Sequence, residues 1–357
     1  MKTSVIIMAG GIGERLWPLS REKKPKQFLK IIDNKSLIEQ TIDRALQITE
    51  EENNIFIVTG KRYKEAFNTY IPNFKKENII YEPIGRDTAA AVALGVLTVK
   101  EKIGNSNVVI IPADPIIKEE NIFVNTIKEA IEATIKTKNI VVVGIKPTRA
   151  ETGYGYIKLD KNIKANEYIV HKFVEKPDLE NAKKFLADGS YLWNSGMFIW
   201  DSENILNSIN KFMPDTFNKV NEALKNINNE DKALEIFNSI DKISFDFGVM
   251  EKLEDIICIK SEFFWDDLGA FSALGRIHSK DENNNVIIGQ VYVKNSNNNI
   301  IINDDDDLLT LNGINNLTVV KSNGVVLMYP NNEDSKIKEI LKDIREKNEL
   351  NKYRELL

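Results

Sequence analysis

Gly10, Gly11 and Gly13 stand directly after the apolar run Val5-Ile6-Ile7-Met8 and Ala9, and Arg15 and Lys26 follow them. Glycines at the end of a buried strand let the backbone turn tightly and bring the N–H groups of Ala9, Gly10, Gly11 and Gly13 against a ligand. A forked guanidinium and a further ammonium beyond such a turn suit a polyphosphate. Neither common glycine motif accounts for the stretch. A P-loop needs Gly-Lys-Ser/Thr, which does not follow Gly13, and Leu16 occupies the place of the third glycine of a dinucleotide fingerprint. Pro18 also opposes a long helix starting at Gly13. A second chemical signal is Asp114, which follows the apolar run Val108-Val109-Ile110-Ile111 and the step Pro112-Ala113. At a strand end inside a phosphate crevice, a lone carboxylate suits Mg²⁺, which takes one or two carboxylates together with phosphate oxygens and water.

Positioning these groups requires strands that end on one side of a sheet. From Ser4 to about Ile145 apolar runs alternate with helical patterns. Ser36-Leu37-Ile38-Glu39 has the form of a capping box and starts a helix to about Thr49. Strands are expected at 54–60, 79–83, 108–111 and 140–144, with helices at 88–102, capped by Thr88, and at 122–136. Continuous apolar strands between helices predict an α/β fold with a Rossmann-like, mainly parallel sheet flanked by helices. Ligands of such sheets bind at the carboxyl ends of strands, where the glycine turn, Glu82 and Asp114 all fall. Residues 155–159 and 168–174 predict a hairpin, 193–200 an apolar strand, and 202–240 helices broken at Pro214. After His278 a polar linker leads to short strands separated by Asn, Asp and Gly turns, and then to a charged helix from Asp334 to about Asn348. The expected division is a catalytic domain over 1–280 and a small β domain with a terminal helix over 281–357.

The chain carries 48 basic and 53 acidic residues, a net charge of −5. That balance argues against a nucleic-acid surface, yet allows a local basic pocket for one nucleotide. No apolar run is long enough to span a bilayer, and no leader precedes the first strand, so no membrane association and a cytoplasmic setting are expected. Cys258 lies in an apolar run and reads as a buried structural thiol. His171 and His278 sit in no motif and are given no general-base role.

The string Gly-Gly-x-Gly-x-Arg-Leu-x-Pro-x-Ser-Arg-x-x-x-Pro-Lys-Gln-Phe-Leu, from Gly10 to Leu29, resembles the opening of the sugar nucleotidylyltransferases. Pro25-Lys26-Gln27-Phe28-Leu29 is most similar to their mannose-1-phosphate guanylyltransferase branch. Glu82-Pro83-Ile84-Gly85-Arg86-Asp87-Thr88 resembles the base-recognition segment, with Asp87 where the family has Asn and Ala90 where it has Pro. Guanine presents donors at N1 and at its amino group, and Glu82 is the candidate acceptor; Arg86, Asp87 and Thr88 complete the segment. A strand-to-helix turn capped by Asp87 or Thr88 is the plainer reading of the same residues, and both can hold.

The resemblance implies a metal pair at Asp114 and Asp267, the latter in Trp265-Asp266-Asp267-Leu268-Gly269, with Pro115 replacing the family's usual His. It implies sugar contacts at Gly155 in Thr-Gly-Tyr-Gly-Tyr, at Glu175 in Val-Glu-Lys-Pro, and at Asn194 in Asn-Ser-Gly-Met-Phe, with Lys176 on the sugar phosphate. It also implies a β-helix-like form for the C-terminal β segment. The implied substrates are GTP and mannose 1-phosphate, the implied cofactor is Mg²⁺, and the implied catalytic cations are Arg15, Lys26 and Lys176. A homodimer is expected, and phosphomannose isomerase activity is not. Two other readings stay open at this point: another base and sugar pair, and a non-catalytic nucleotide-sugar-binding subunit.

Overall fold

The computed structural model describes residues 1–357. Its first half alternates strand and helix. In chain order these are β1 (Lys2–Met8), α1 (Leu37–Thr49), β2 (Ile55–Gly60), α2 (Lys64–Tyr70), β3 (Ile79–Glu82), α3 (Asp87–Ile103), β4 (Ser106–Pro112), the short β5 (Ile116–Ile117), α4 (Glu120–Thr137) and β6 (Val141–Ile145). The α1 start is the capping box read from the sequence: the Glu39 carboxylate accepts the Ser36 N–H at 2.7 Å, and the Glu39 N–H donates to Ser36 Oγ at 3.4 Å.

The second half adds β7 (Tyr156–Lys164) and β8 (Glu167–Val174) as a hairpin, then α5 (Leu179–Asp188) and the long β9 (Tyr191–Asp201). Helices α6 (Ser202–Phe212), α7 (Pro214–Lys225), α8 (Glu230–Asn238) and α9 (Phe245–Gly248) follow, with Pro214 opening α7 where its missing N–H leaves no helical bond unmade. Next come β10 (Ile257–Ser261), β11 (Trp265–Asp266) and α10 (Leu274–Ile277).

The main sheet runs β3-β2-β1-β4-β9-β6-β10-β8-β7. Its first four strands are parallel, and so is the β6–β10 pair. The pairs β4–β9, β9–β6, β10–β8, β8–β7 and β7–β9 are antiparallel. The sheet is therefore mixed, which corrects the expectation of a mainly parallel one. The reason is β9, which enters between β4 and β6 against both, and an unbroken apolar run carries no sign of its direction. Side chains alternate across β1: Val5 and Ile7 pack into one core with α1 and α4, and Ile6 into the opposite core with α3. Cys258 is fully buried in the second core, its thiol pushed up to about 12 by burial.

After residue 281 the chain winds in stacked turns. The strands are β12 (Val286–Ile288), β13 (Val291–Lys294), β14 (Ile300–Asn303), β15 (Leu309–Asn312), β16 (Leu317–Ser322) and β17 (Val325–Pro330), before the last helix α11 (Lys336–Glu346). β12, β14 and β16 pair in parallel, as do β13 and β15, while β17 turns back on β16. Asn284, Asn298 and Asn316 occupy the same left-handed corner of successive turns, at φ 60, 59 and 59°. A third core joins this segment to the start of the chain: Leu16, Trp17 and Leu19 pack with Ile302, Leu327, Ile337 and Leu341.

Candidate active site

β1 and β4 end together, Met8 opposite Pro112, and the Ala113 N–H donates to the Met8 carbonyl at 3.0 Å. The glycine turn and Asp114 thus leave the same edge of the sheet. Ala9 is engaged by the sheet itself: its N–H donates to the Val58 carbonyl and its carbonyl accepts the Thr59 hydroxyl, each at 2.8 Å. It has no spare amide for a nucleotide, which corrects its assignment as a backbone ligand. The N–H groups of Gly10, Gly11, Ile12 and Gly13 find no acceptor within the protein. Gly10 and Gly11 are exposed and Ile12 and Gly13 half-buried, so the run of donors is accessible to an anion. Gly13 is required by geometry, since its φ is +79° and a Cβ there would lie 2.5 Å from Lys26 Cβ.

That packing fixes Lys26. Its ammonium meets Asp114 Oδ2 at 2.8 Å and donates to the Asp267 carbonyl. Arg15, Lys26, Asp114, Asp267 and Gly13 together line one cleft of about 480 Å³, which Arg62 and Lys338 also enter. The two neighbouring aspartates part company at the end of β11. Asp266 points inward, accepting from Arg276 Nε at 2.7 Å and from the Leu268 N–H at 3.0 Å. Asp267 faces the cleft, where Tyr154 donates to its Oδ1 at 2.5 Å and Arg149 in turn donates to the Tyr154 oxygen at 3.0 Å. Burial holds the Asp267 carboxyl above the usual carboxylate range, against the opposing pull of Lys26 and Tyr154. A carboxylate so placed gains from a cation beside it.

Glu82 ends β3 opposite Gly60 of β2. It is 6% exposed, its Oε1 has no hydrogen-bond partner, and burial, with the charge of Asp87, pushes its carboxyl up to about 7. Asp87 adopts φ 64° and accepts the Thr88 N–H at 2.7 Å. Arg86, expected on the nucleotide, is engaged by the protein itself. Its guanidinium donates to the Phe237 and Asn238 carbonyls at 2.8 and 2.7 Å, closing the end of α8. Thr88 is likewise not the cap of α3; its hydroxyl accepts the Phe245 N–H at 2.8 Å and holds α9 against α3.

A second constellation gathers the residues expected on the sugar side. Glu175 and Lys176 pair at 2.7 Å, and that hydrogen bond raises the Lys176 ammonium above its ordinary value. A Cβ on Gly155 would stand 2.6 Å from Glu175 Oε2, so a larger residue there would push that carboxylate aside. The Gly155 carbonyl accepts the Asn194 N–H at 2.8 Å, and Asn194 Nδ2 donates to Asp246 Oδ1 at 2.8 Å. The charges of Asp246 and Asp87 add to that of Glu175 in favouring the charged form of Lys176.

Comparison with known proteins agrees with this arrangement. The nucleotidyl transferase family profile matches residues 4–284. The chain belongs to the nucleotidyl transferase family. The transferase is 34% identical to mannose-1-phosphate guanylyltransferase RfbM of Salmonella typhimurium over 356 residues, 98% of this chain and 74% of that one. It is 34% identical to a mannose-1-phosphate guanylyltransferase of Klebsiella pneumoniae over 360 residues, 98% of this chain and 76% of that one. The crystal structure of mannose-1-phosphate geranyltransferase from Thermus thermophilus superposes with a TM-score of 0.86 at 31% identity, covering 97% of this chain and 100% of that one. No helix of the transferase is long and apolar enough to cross a membrane.

Sequence reasoning missed three side chains of this nucleotidyl transferase site. Arg62 had a signal, being a cation two residues past the end of β2 beside the glycine turn. Asp246 lies between two phenylalanines in a short helix, with nothing local to mark it. Lys338 sits in a helix of alternating charges near the other end of the chain.

Proposed function

We propose that the chain transfers GMP from GTP to α-D-mannose 1-phosphate, giving GDP-mannose and pyrophosphate. The observation that carries the reading is one cleft combining a turn of open N–H groups, Arg15 and Lys26 with two converging aspartates. Guanine and mannose as the chosen base and sugar rest on relatives of that name at 34% identity over nearly the whole chain.

A phosphate oxygen of mannose 1-phosphate attacks the α-phosphorus of GTP. The new P–O bond forms as the bond to the bridging α–β oxygen breaks, and pyrophosphate departs with that electron pair. The nucleophile is already anionic, so no strong base is needed; the barrier is the approach of two anions and the departure of a third. The open amides at Gly10 to Gly13 and the Arg15 guanidinium hold the outer phosphates and take up charge on the leaving group. Lys26 links the turn to the acids. Glu175 accepts sugar hydroxyls, with Asn194 and the Gly155 backbone beside it, and Lys176 aligns the sugar phosphate. Glu82 accepts from the guanine edge, with Asp87 at the mouth of that site.

Asp114 and Asp267 fit a divalent ion: both line one cleft, the Lys26 ammonium lies on the Asp114 carboxylate and the Asp267 main-chain carbonyl, and a carboxylate pair with phosphate oxygens is a donor set suited to Mg²⁺. Bound there, Mg²⁺ would supply neutralisation of phosphate charge. The proposal includes a homodimer, which a solution mass of two chains by light scattering would support and a mass of one would end.

The deciding assay is pyrophosphate release with GTP, ATP, UTP and dTTP, each paired with mannose 1-phosphate and glucose 1-phosphate. Release chiefly with GTP and mannose 1-phosphate, lost on chelation by EDTA and restored by Mg²⁺, is expected. Release with a different pair would change the substrates, and silence across the panel would sink the reading.

A further inference from the structure

We propose that Lys338, on the C-terminal helix α11, is a further phosphate-binding residue of this cleft, holding the outer phosphates of the nucleotide and the pyrophosphate that leaves. The inference rests on the nucleotidyl-transfer reading above and deepens it.

Charge in the cleft is unevenly committed. Lys26 is engaged by Asp114 and Asp267, and Glu14 by Arg345 at 2.9 Å. Arg15, Arg62 and Lys338 line the same cleft and form no ion pair. Among them Lys338 comes from the far end of the sequence, so its presence depends on how α11 is held. Ile337 and Leu341 are buried against Leu16, Trp17 and Leu19, which fixes one side of the helix on the segment following the glycine turn. Lys338 and Arg345 are seven residues apart, two turns, and share a face. Arg345 is bonded to Glu14, so that face is aimed at the Glu14–Arg15 turn. Beyond α11, Trp17 Nε1 donates to the Leu356 carbonyl at 2.8 Å, tying the chain end to the same segment. An ammonium that shares one cleft with open backbone amides and an unpaired arginine is suited to a polyanion and has no structural partner to serve.

The probe is inorganic pyrophosphate, titrated by calorimetry into the full chain and into its Lys338→Ala variant, with KM measured for both substrates. Lys338 is exposed, so the variant is expected to melt with the parent. The expected result is pyrophosphate affinity weakened about tenfold, the scale of one charge-assisted contact. The KM for GTP should rise alike, that for mannose 1-phosphate should stay unchanged, and Lys338→Arg should recover most of the loss. Equal pyrophosphate affinity in parent and variant, or no pyrophosphate binding by the parent, would overturn the assignment. A parent that uses another nucleotide and sugar, yet loses pyrophosphate affinity on Lys338→Ala, keeps the assignment and removes only the choice of substrates.

Discussion

At the scale of single residues, the cleft is organised around which charges are already answered. Arg15 has no ion pair, so its removal leaves the leaving group short of one preorganised donor. Arg15→Ala is expected to lower turnover about a hundredfold, about 3 kcal/mol of barrier, in a protein that melts normally. Near-normal turnover would refute its role. Glu82 sets a pH dependence. Its carboxyl is raised from 4.5 to about 7, so the folded protein holds a proton that the unfolded chain has already released. Stability from this group is therefore lost as pH rises through that interval, and Glu82→Gln should gain on the order of 3 kcal/mol over the parent above about pH 8 and nothing below about pH 4. Guanine donors would stabilise the charged form, so the KM for GTP should fall between about pH 6 and pH 8 in the parent and stay flat in the variant. Asp267 was legible in the sequence because its motif separates it from Asp266. The tertiary contacts of Arg86 and Thr88 were not legible because the groups that engage them, on α8 and α9, lie far along the chain.

At the scale of elements, the two halves of the site are carried by different parts of the sheet, so they can be disturbed separately. Gly155 precedes β7, and a methyl group there collides with the Glu175 carboxylate. Gly155→Ala is expected to raise the KM for mannose 1-phosphate about tenfold or more and leave pyrophosphate affinity unchanged; an equal loss of both would show that the halves are not independent. The strands of the parallel half were readable from their unbroken apolar runs. The direction of β9 was not, because direction is settled by which neighbours a strand meets. The turns after β12 were readable as strands and Asn-rich corners, while their stacking follows from pairing between distant residues such as Ile300 and Thr318.

At the scale of the molecule, the core that joins Leu16, Trp17 and Leu19 to Ile337 and Leu341 makes the segment after the glycine turn depend on the last helix. Leu341 is 2% exposed, so Leu341→Ala should cost about 2–5 kcal/mol. Thermal melting should remain a single transition at a lower temperature, with a raised KM for GTP. Two separate transitions would mean that the segments unfold independently. This coupling was invisible in the sequence, since nothing in an amphipathic charged helix names the surface it will cover.

The bond between Trp17 and the Leu356 carbonyl also bears on how the protein can be handled. Anything fused after Leu357 starts beside the segment that follows the glycine turn, whereas Met1 is exposed at the opposite end of β1. An affinity tag or surface tether is therefore better attached at the amino end, where its linker leaves from the end of β1 away from the cleft.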